Sequence, residues 1–285
     1  KTCLVTDLAG IDDKSFNASS WQGVLDAIDA GAAVPEPDSF YLESDVEADW
    51  QPNIDQMVEQ GCEHIVTVGF ALDAVTQENA PANPDINWTI VDVDFFDFSA
   101  DPPADVSYDN VRELTYQTDE AAFLAGYVAA SVTETGVVGT FGGDNFPTVS
   151  IFMNGFYWGV QHHNEVKGTD VQVLGWDKES QNGSFTGDFE DQNKGKQVTA
   201  NFIQQGADII LPVAGPVGLG AAAAAQEADG VNLIWVDSDG YETAPDFSEL
   251  FITSVLKRID SATFAATEEA LAGDFSNDVY VGTPE

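Results

Sequence analysis

Basic residues are scarce in this 285-residue chain: 9 Lys and Arg stand against 49 Asp and Glu, a formal net charge of −40. Such a surface repels nucleic acid and anionic bilayers, because phosphate binding is driven by counterion release from a basic face. Nucleic-acid partners are therefore excluded. No apolar run approaches the roughly 20 residues of a membrane span, so nothing is expected to cross a bilayer. Cysteine is limited to Cys3 and Cys62, and one cysteine pair leaves the usual zinc ligand set incomplete. Asp237-Ser238-Asp239-Gly240 begins like a calcium loop, but its twelfth position falls on Ser248 rather than Glu. No metal and no cofactor are expected. A Gly-x-Ser-x-Gly elbow is also missing, and the turn from Gly215 to Gly220 is neither a P-loop nor a dinucleotide fingerprint.

What is present is a globular composition: 44% hydrophobic residues, with 18 Phe and 6 Trp to fill a core of one large domain or two ordinary ones. The acids are spread along the chain, which reads as a solvated surface suited to a salty, screening medium. Stability is accordingly expected to fall when salt is removed; a melting temperature that does not respond to salt would contradict this. The acidic run Asp92, Asp94, Asp97 and Asp101, and the adjacent His162 and His163, also read as surface. The first residue is Lys, so a removed upstream segment such as a secretion signal is expected.

Short apolar runs alternate with helical spacing. Strands are expected at Thr2 to Thr6, Ser39 to Leu42, His64 to Phe70, Trp88 to Val93 and Val106 to Val111, with helices between the earlier ones. A helix near Asp119 to Val132 opens a second series, with strands at Gly136 to Phe141, Val171 to Gly175, Asp208 to Val213 and Leu233 to Val236. The fold class is α/β: two lobes, each a doubly wound, mainly parallel sheet flanked by helices. The expected boundaries are residues 1–113 for the first lobe, with a return crossing near 251–272, and 114–250 for the second. Residues 273–285 form a terminal segment of unassigned lobe. The lobes join near Val111 to Tyr116 and are expected to close by hinge motion on a ligand held between them. Cys3 and Cys62 each open a predicted strand, and those strands are neighbours in a doubly wound sheet. The pair is either a disulfide, which implies an extracytoplasmic setting, or two buried thiols.

The richest stretch is Thr6-Asp7-Leu8-Ala9-Gly10-Ile11-Asp12-Asp13-Lys14-Ser15-Phe16-Asn17, followed by Trp21. It reads as a turn from a buried strand into an amphipathic helix, at the sheet edge where α/β proteins bind ligands. Asp7, Ser15, Phe16 and Asn17 offer a carboxylate, a hydroxyl, a ring and an amide, the set a flat polar heterocycle requires. The other reading is a capped helix start with Phe16 in the core.

This motif resembles the signature of the basic membrane protein family of solute-binding lipoproteins, which serve ABC transporters and include purine-nucleoside receptors. Glu120-Ala121-Ala122-Phe123-Leu124-Ala125-Gly126-Tyr127, Val138-Gly139-Thr140-Phe141-Gly142-Gly143, Ala214-Gly215-Pro216-Val217-Gly218-Leu219-Gly220, Val236-Asp237-Ser238-Asp239 and Thr253-Ser254-Val255-Leu256-Lys257 are similar to later family motifs, in order. Asp188-Phe189-Glu190-Asp191 departs from the pattern, with Asp188 in place of the usual Ser. The resemblance implies a type I periplasmic-binding-protein-like fold and a non-catalytic receptor. Phe16 would stack the base, Asp7 and Asn17 would read its edge, with Ser15 beside them, and Phe189 would be the opposing ring. Asp237 would accept from the ribose hydroxyls, Gly215 and Lys257 would lie near the sugar, and Phe70 would line the mouth. A carboxylate accepts from a diol in bidentate fashion, and stacking contributes about 1–3 kcal/mol per base.

The implied partners are a purine nucleoside and an ABC permease, with a monomer in the periplasm or on the outer face of the membrane and any membrane association through a lipid anchor upstream of Lys1. A sensor of the same fold, or a receptor for another heterocycle such as riboflavin, is the alternative. A nucleoside hydrolase using Asp7 and Asp237 is weaker, because the clustered aspartate metal ligands of such an enzyme are missing. The family pattern also leads one to expect a final strand and helix after Pro284-Glu285.

Overall fold

The computed structural model describes residues 1–97, 99 and 101–283. Phe98 and Ala100 of the acidic loop, and Pro284 and Glu285, after which a further strand and helix are expected, lie outside the described residues. The chain runs β1 (Thr2–Val5), α1 (Phe16–Asp29), β2 (Phe40–Leu42), α2 (Trp50–Glu59), β3 (His64–Val68), α3 (Asp73–Ala82), β4 (Asn87–Val91), the antiparallel pair β5 (Phe96–Asp97) and β6 (Ala104–Asp105), and β7 (Val111–Tyr116). There follow α4 (Thr118–Val132), β8 (Val137–Gly142), α5 (Pro147–Lys167), β9 (Gln172–Leu174), the hairpin β10 (Trp176–Asp177) and β11 (Asn182–Gly183), α6 (Gln192–Gln204) and β12 (Ile209–Val213). Then come α7 (Val217–Gln226), β13 (Asn232–Asp237), the single turn α8 (Gly240–Thr243), β14 (Phe251–Leu256), α9 (Ile259–Ala272) and β15 (Tyr280–Gly282).

Two compact units result. The first comprises Lys1–Tyr116 and Arg258–Gly282, and the second is built from Gln117–Lys257. In the first, a six-stranded sheet has the order β15-β7-β4-β3-β1-β2, with every neighbouring pair parallel. Its strands are mainly apolar because both faces are covered. Successive side chains point to opposite faces. Cys3, Val5, Ile65, Trp88 and Ile90 pack with Trp50, Ile54 and Met57 of α2. Leu4, Val66, Val68, Val91 and Leu114 pack with Trp21 and Val24 of α1 and with Ile259, Ala262 and Ala266 of α9. Each of the large side chains sealed here contributes roughly 1.5–3 kcal/mol of burial. Cys3 and Cys62 form a disulfide with Cα atoms 6.0 Å apart, beside the parallel β1–β3 ladder that pairs Cys3 with Ile65.

The second unit holds a five-stranded parallel sheet, β14-β13-β12-β8-β9. Val138, Leu211, Ile234 and Val255 face α4 and α5 through Ala122, Ala129, Phe152 and Phe156. Phe141, Ile210 and Leu233 face α6 and α7 through Phe202, Val217 and Ala221.

The structure redraws several expected boundaries. Residues 251–256 do not start the return crossing: β14 pairs in parallel with β13 inside the second unit, and the return begins at Arg258 with α9, which packs on the first unit's sheet. The terminal segment joins the first unit, where β15 pairs with β7. The expected strand Val106 to Val111 lies one element too early, and the expected joint Val111 to Tyr116 is itself strand β7. Arg112 and Glu113 hide that strand by breaking its apolar run. Arg112 pairs with Glu269 of α9, while the buried Glu113 accepts a 2.7 Å hydrogen bond from the Phe95 N–H. Asp92 and His163 are buried rather than surface groups. His163 lies across Thr169 Oγ1 at 3.1 Å and meets the ring of Tyr127 edge-on.

Candidate functional site

At the carboxyl edge of the first sheet, the turn after β1 folds on its own acids. Asp13 accepts at Oδ1 from the N–H groups of Ser15 (2.9 Å) and Ala18 (3.0 Å), and at Oδ2 from Asn17 N–H (2.7 Å) and Asn17 Nδ2 (3.2 Å). It thereby satisfies donors that the start of α1 would otherwise leave open. Ser15 occupies the N-cap position with no side-chain cap bond, and is fully buried. Burial pushes the Asp13 pKa up to about 7, against the opposing N–H groups of Ala18, Ser15 and Asn17 and with the nearby charge of Asp7 adding to the rise.

Asn17 is the product of this arrangement. Its Nδ2 donates to Asp7 Oδ1 (2.7 Å) as well as to Asp13, so both amide hydrogens are used. Its Oδ1 is buried with no hydrogen-bond partner among the described residues. Asp7 Oδ1 also accepts from Ala9 N–H at 3.1 Å. Phe16 is half-buried against the α1–α9 face of the sheet, a position between the two readings of the sequence.

Gly69 closes the group from the end of β3. Its φ is +99° and ψ 162°, a region essentially reserved for glycine. A Cβ there would stand 3.1 Å from Asp7 Oδ2 and 3.2 Å from Phe16 Cε1, which shows that Asp7, Phe16 and Gly69 meet at one point of the edge. The half-buried Phe70 follows directly. Gly69→Ala is expected to cost roughly 1–3 kcal/mol in backbone strain. Urea unfolding checks this; an unchanged midpoint would show that the edge is slack.

In the second unit, Asp237 ends β13 in the left-handed region, φ +65°. Its carbonyl accepts from Lys257 N–H at 3.1 Å, and Lys257 Nζ lies 3.8 Å from Asp237 Oδ1 and 4.7 Å from the centroid of Phe152. A buried ammonium is thus held between a carboxylate and a ring. Phe189 stacks with Phe146 at a centroid separation of 6.1 Å. Asp188 accepts from Glu190 and Asp191 N–H groups and pairs with Lys194, so the segment that departs from the family pattern is held by its own turn. Gly215 has φ +50°, and among the described residues beyond its chain neighbours the atom within 4 Å of its Cβ position is the Phe189 carbonyl oxygen at 3.9 Å, which leaves space for close approach. The structure therefore brings Asp7, Phe16 and Asn17 together in one unit, and pairs Asp237 with Lys257 and Phe189 with Gly215 in the other.

Sequence reasoning did not pick out Asp13 or Gly69 as site residues, although Gly69 had a signal, since it ends an apolar strand. No group of three or more His, Cys, Asp or Glu residues suited to a metal occurs among the described residues, and no described helix is long and apolar enough to cross a membrane.

Two units, each a parallel, helix-covered sheet, give the type I periplasmic-binding-protein-like class that the chain shares with solved solute-binding proteins. A crystal structure of an ABC transporter system solute-binding protein from Aeropyrum pernix K1 superimposes with a TM-score of 0.82 at 25% identity, covering 99% of this chain and 73% of that one. Residues 1–282 match the family described as ABC transporter substrate-binding protein PnrA-like, and the chain belongs to it. The "CD4+ T-cell-stimulating antigen" of Listeria monocytogenes is 30% identical over 285 residues, 95% of this chain and 74% of the relative. The "ABC transporter nucleoside-binding protein BmpA" of Lactococcus lactis is 30% identical over 246 residues, 84% of this chain and 64% of the relative. The protein is thus a solute-binding component of an ABC transporter, acting with a permease outside the cytoplasm, and not an enzyme.

Proposed function

We propose that the solute is a purine nucleoside, delivered as a monomeric receptor to its permease from the periplasm or the outer face of the membrane. The observation that carries this reading is the buried, unpartnered Asn17 Oδ1 beside the Asp7 carboxylate. Together they form an acceptor edge. Guanine and hypoxanthine offer N–H donors to such an edge, whereas a base with only acceptors would leave it unpaired, at a cost of about 1–3 kcal/mol per buried group. Phe16 supplies the stacking face. Asp237 accepts from the ribose hydroxyls with charge-assisted strength, Lys257 fixes Asp237, and Gly215 lets the backbone approach the sugar. The name of the Lactococcus lactis relative agrees with a nucleoside cargo.

The test is isothermal titration of ligand-stripped protein at high salt with guanosine, inosine, adenosine, cytidine and riboflavin. Purine nucleosides are expected to bind at micromolar Kd or tighter, about −8 kcal/mol or better, and binding is expected to vanish in Phe16→Ala and Asp237→Ala. Tighter binding of riboflavin or cytidine, or no purine binding at all, overturns the cargo. Inosine should remain intact after incubation.

A further inference from the structure

The second unit contains a cavity of about 610 Å³ that the solute site does not use, within the size range of small-molecule pockets. Asp119, Glu120, Phe123 and Leu124 line it from the first two turns of α4, and Asn154, Gly155 and Trp158 line it from α5, with Gln181 across the opening. The same one- and four-residue steps recur on both helices, so each presents a single face to the cavity.

The lining has two chemical halves. Trp158 and Leu124 keep 47% and 59% of their surface in contact with solvent, so both can meet a ligand. Beside them stand two carboxylates. The ring face of Trp158 already attracts a cation: Lys178 Nζ lies 4.2 Å from its centroid. That lysine is neutralised by Glu179 at 2.9 Å, so Asp119 and Glu120 leave a local excess of negative charge. The polar rim is prearranged. Asn154 Oδ1 accepts from Trp176 Nε1 (3.0 Å) and Gln181 Nε2 (3.1 Å), while Asn154 Nδ2 donates to Gln181 Oε1 (2.9 Å). These bonds hold Gln181 in the left-handed region, φ +51°.

We propose that this cavity is a second binding site, for a small organic ammonium ion with an apolar or aromatic body. The ammonium displaces Lys178 Nζ from the face of Trp158 and meets the ring of Phe123, as quaternary ammonium groups are held by aromatic cages. Asp119 and Glu120 neutralise it, and the body rests on Leu124, where α4 and α5 pack closely at Gly155. An anionic ligand meets the two carboxylates directly. A neutral one gains only the apolar contacts.

Benzyltrimethylammonium is the probe, with phenylacetate and benzyl alcohol as anionic and neutral comparisons, titrated calorimetrically into the full chain. Saturable, one-to-one binding of the cation is expected, with phenylacetate giving no heat. Asp119→Asn combined with Glu120→Gln is expected to weaken the cation by roughly tenfold, as is Trp158→Ala, whereas Trp158→Phe retains part of the affinity. The thermal melt of each variant, followed by circular dichroism, separates lost binding from lost fold. Equal binding of phenylacetate, or cation binding unaltered in folded variants, overturns the proposal. So does absence of cation binding together with concentration-dependent self-association that Leu124→Lys removes, because the face would then be covered by a second copy.

Discussion

Replacing Cys3 and Cys62 by Ala is expected to lower the unfolding free energy by about 4 kcal/mol, on the chain-entropy account of a closed loop of this size. The disulfide joins positions 59 apart in sequence and so restricts nearly the whole first βαβ segment of the unfolded chain. Both sulfur-bearing residues are essentially sealed from solvent, Cys3 at 0% and Cys62 at 2% exposure. Reductant therefore reaches them only after the sheet opens. Two readouts follow. Urea unfolding at constant high salt should show a lower midpoint, and its slope should rise, because an unlinked denatured chain exposes more surface. A midpoint unchanged in the double variant would mean that packing around β1 and β3, not the crosslink, carries the stability of this unit. Domain stabilities are typically about 5–15 kcal/mol, so the expected loss is a large part of the whole.

Asp13→Asn is expected to weaken purine-nucleoside binding by roughly a hundredfold, the scale of one or two hydrogen bonds to a charged group. The side chain touches no solute in this reading. It acts by directing Asn17: an amide at position 13 presents its own N–H groups to two of the four donors now facing Asp13, and Asn17 then turns its carbonyl away from the base. A folded variant with wild-type affinity would remove Asp13 from the site. The same residue sets a pH dependence. Its pKa is raised from the ordinary carboxylate value to about 7 in the fold, chiefly by burial. Between about pH 4 and 7 the folded chain thus holds a proton that the unfolded chain has released, and this group's contribution to stability falls as pH rises through that window. Binding changes in the opposite sense: if solute selects ionised Asp13, affinity drops by about tenfold per unit below pH 7. Asp13→Asn should flatten both trends.

His64 opposes Asp13 in the stability profile. It is fully buried between Thr2 Oγ1 (3.3 Å) and Thr89 Oγ1 (2.8 Å), and burial lowers its pKa to about 3. The unfolded chain takes up a proton near pH 6.5 that the folded chain refuses, so this contribution is lost as pH falls from about 6.5 toward 3. In His64→Gln the fall of stability with rising pH between 4 and 6.5 should steepen relative to wild type. Urea midpoints across that range, read at fixed salt, test the sign directly.

Much of the architecture was legible because buried parallel strands are nearly continuous apolar runs and the helices between them are amphipathic. The doubled α/β pattern, the turn after β1 and the grouping of Asp7, Phe16 and Asn17 follow from segments a few residues long. β7 escaped because Arg112 and Glu113 look like surface residues until Glu269 and the Phe95 N–H, both remote in sequence, come to meet them. The assignment of β14 escaped for a related reason. An apolar hexapeptide pairs with whichever strand edge is open, and that edge proved to belong to β13.

The site divides along the same line. Residue types at a sheet edge are local information, so the sequence by itself determined the fold class, the acidic surface and the chemistry available after β1. Which atom of Asn17 is left to face a solute was decided only in three dimensions, because Asp7 and Asp13 both claim its amide hydrogens and leave the carbonyl oxygen open. The role of Gly69 was also decided there: a residue 53 positions beyond Phe16 in the chain must lack a side chain because the end of β3 brings its backbone against Asp7 and the ring.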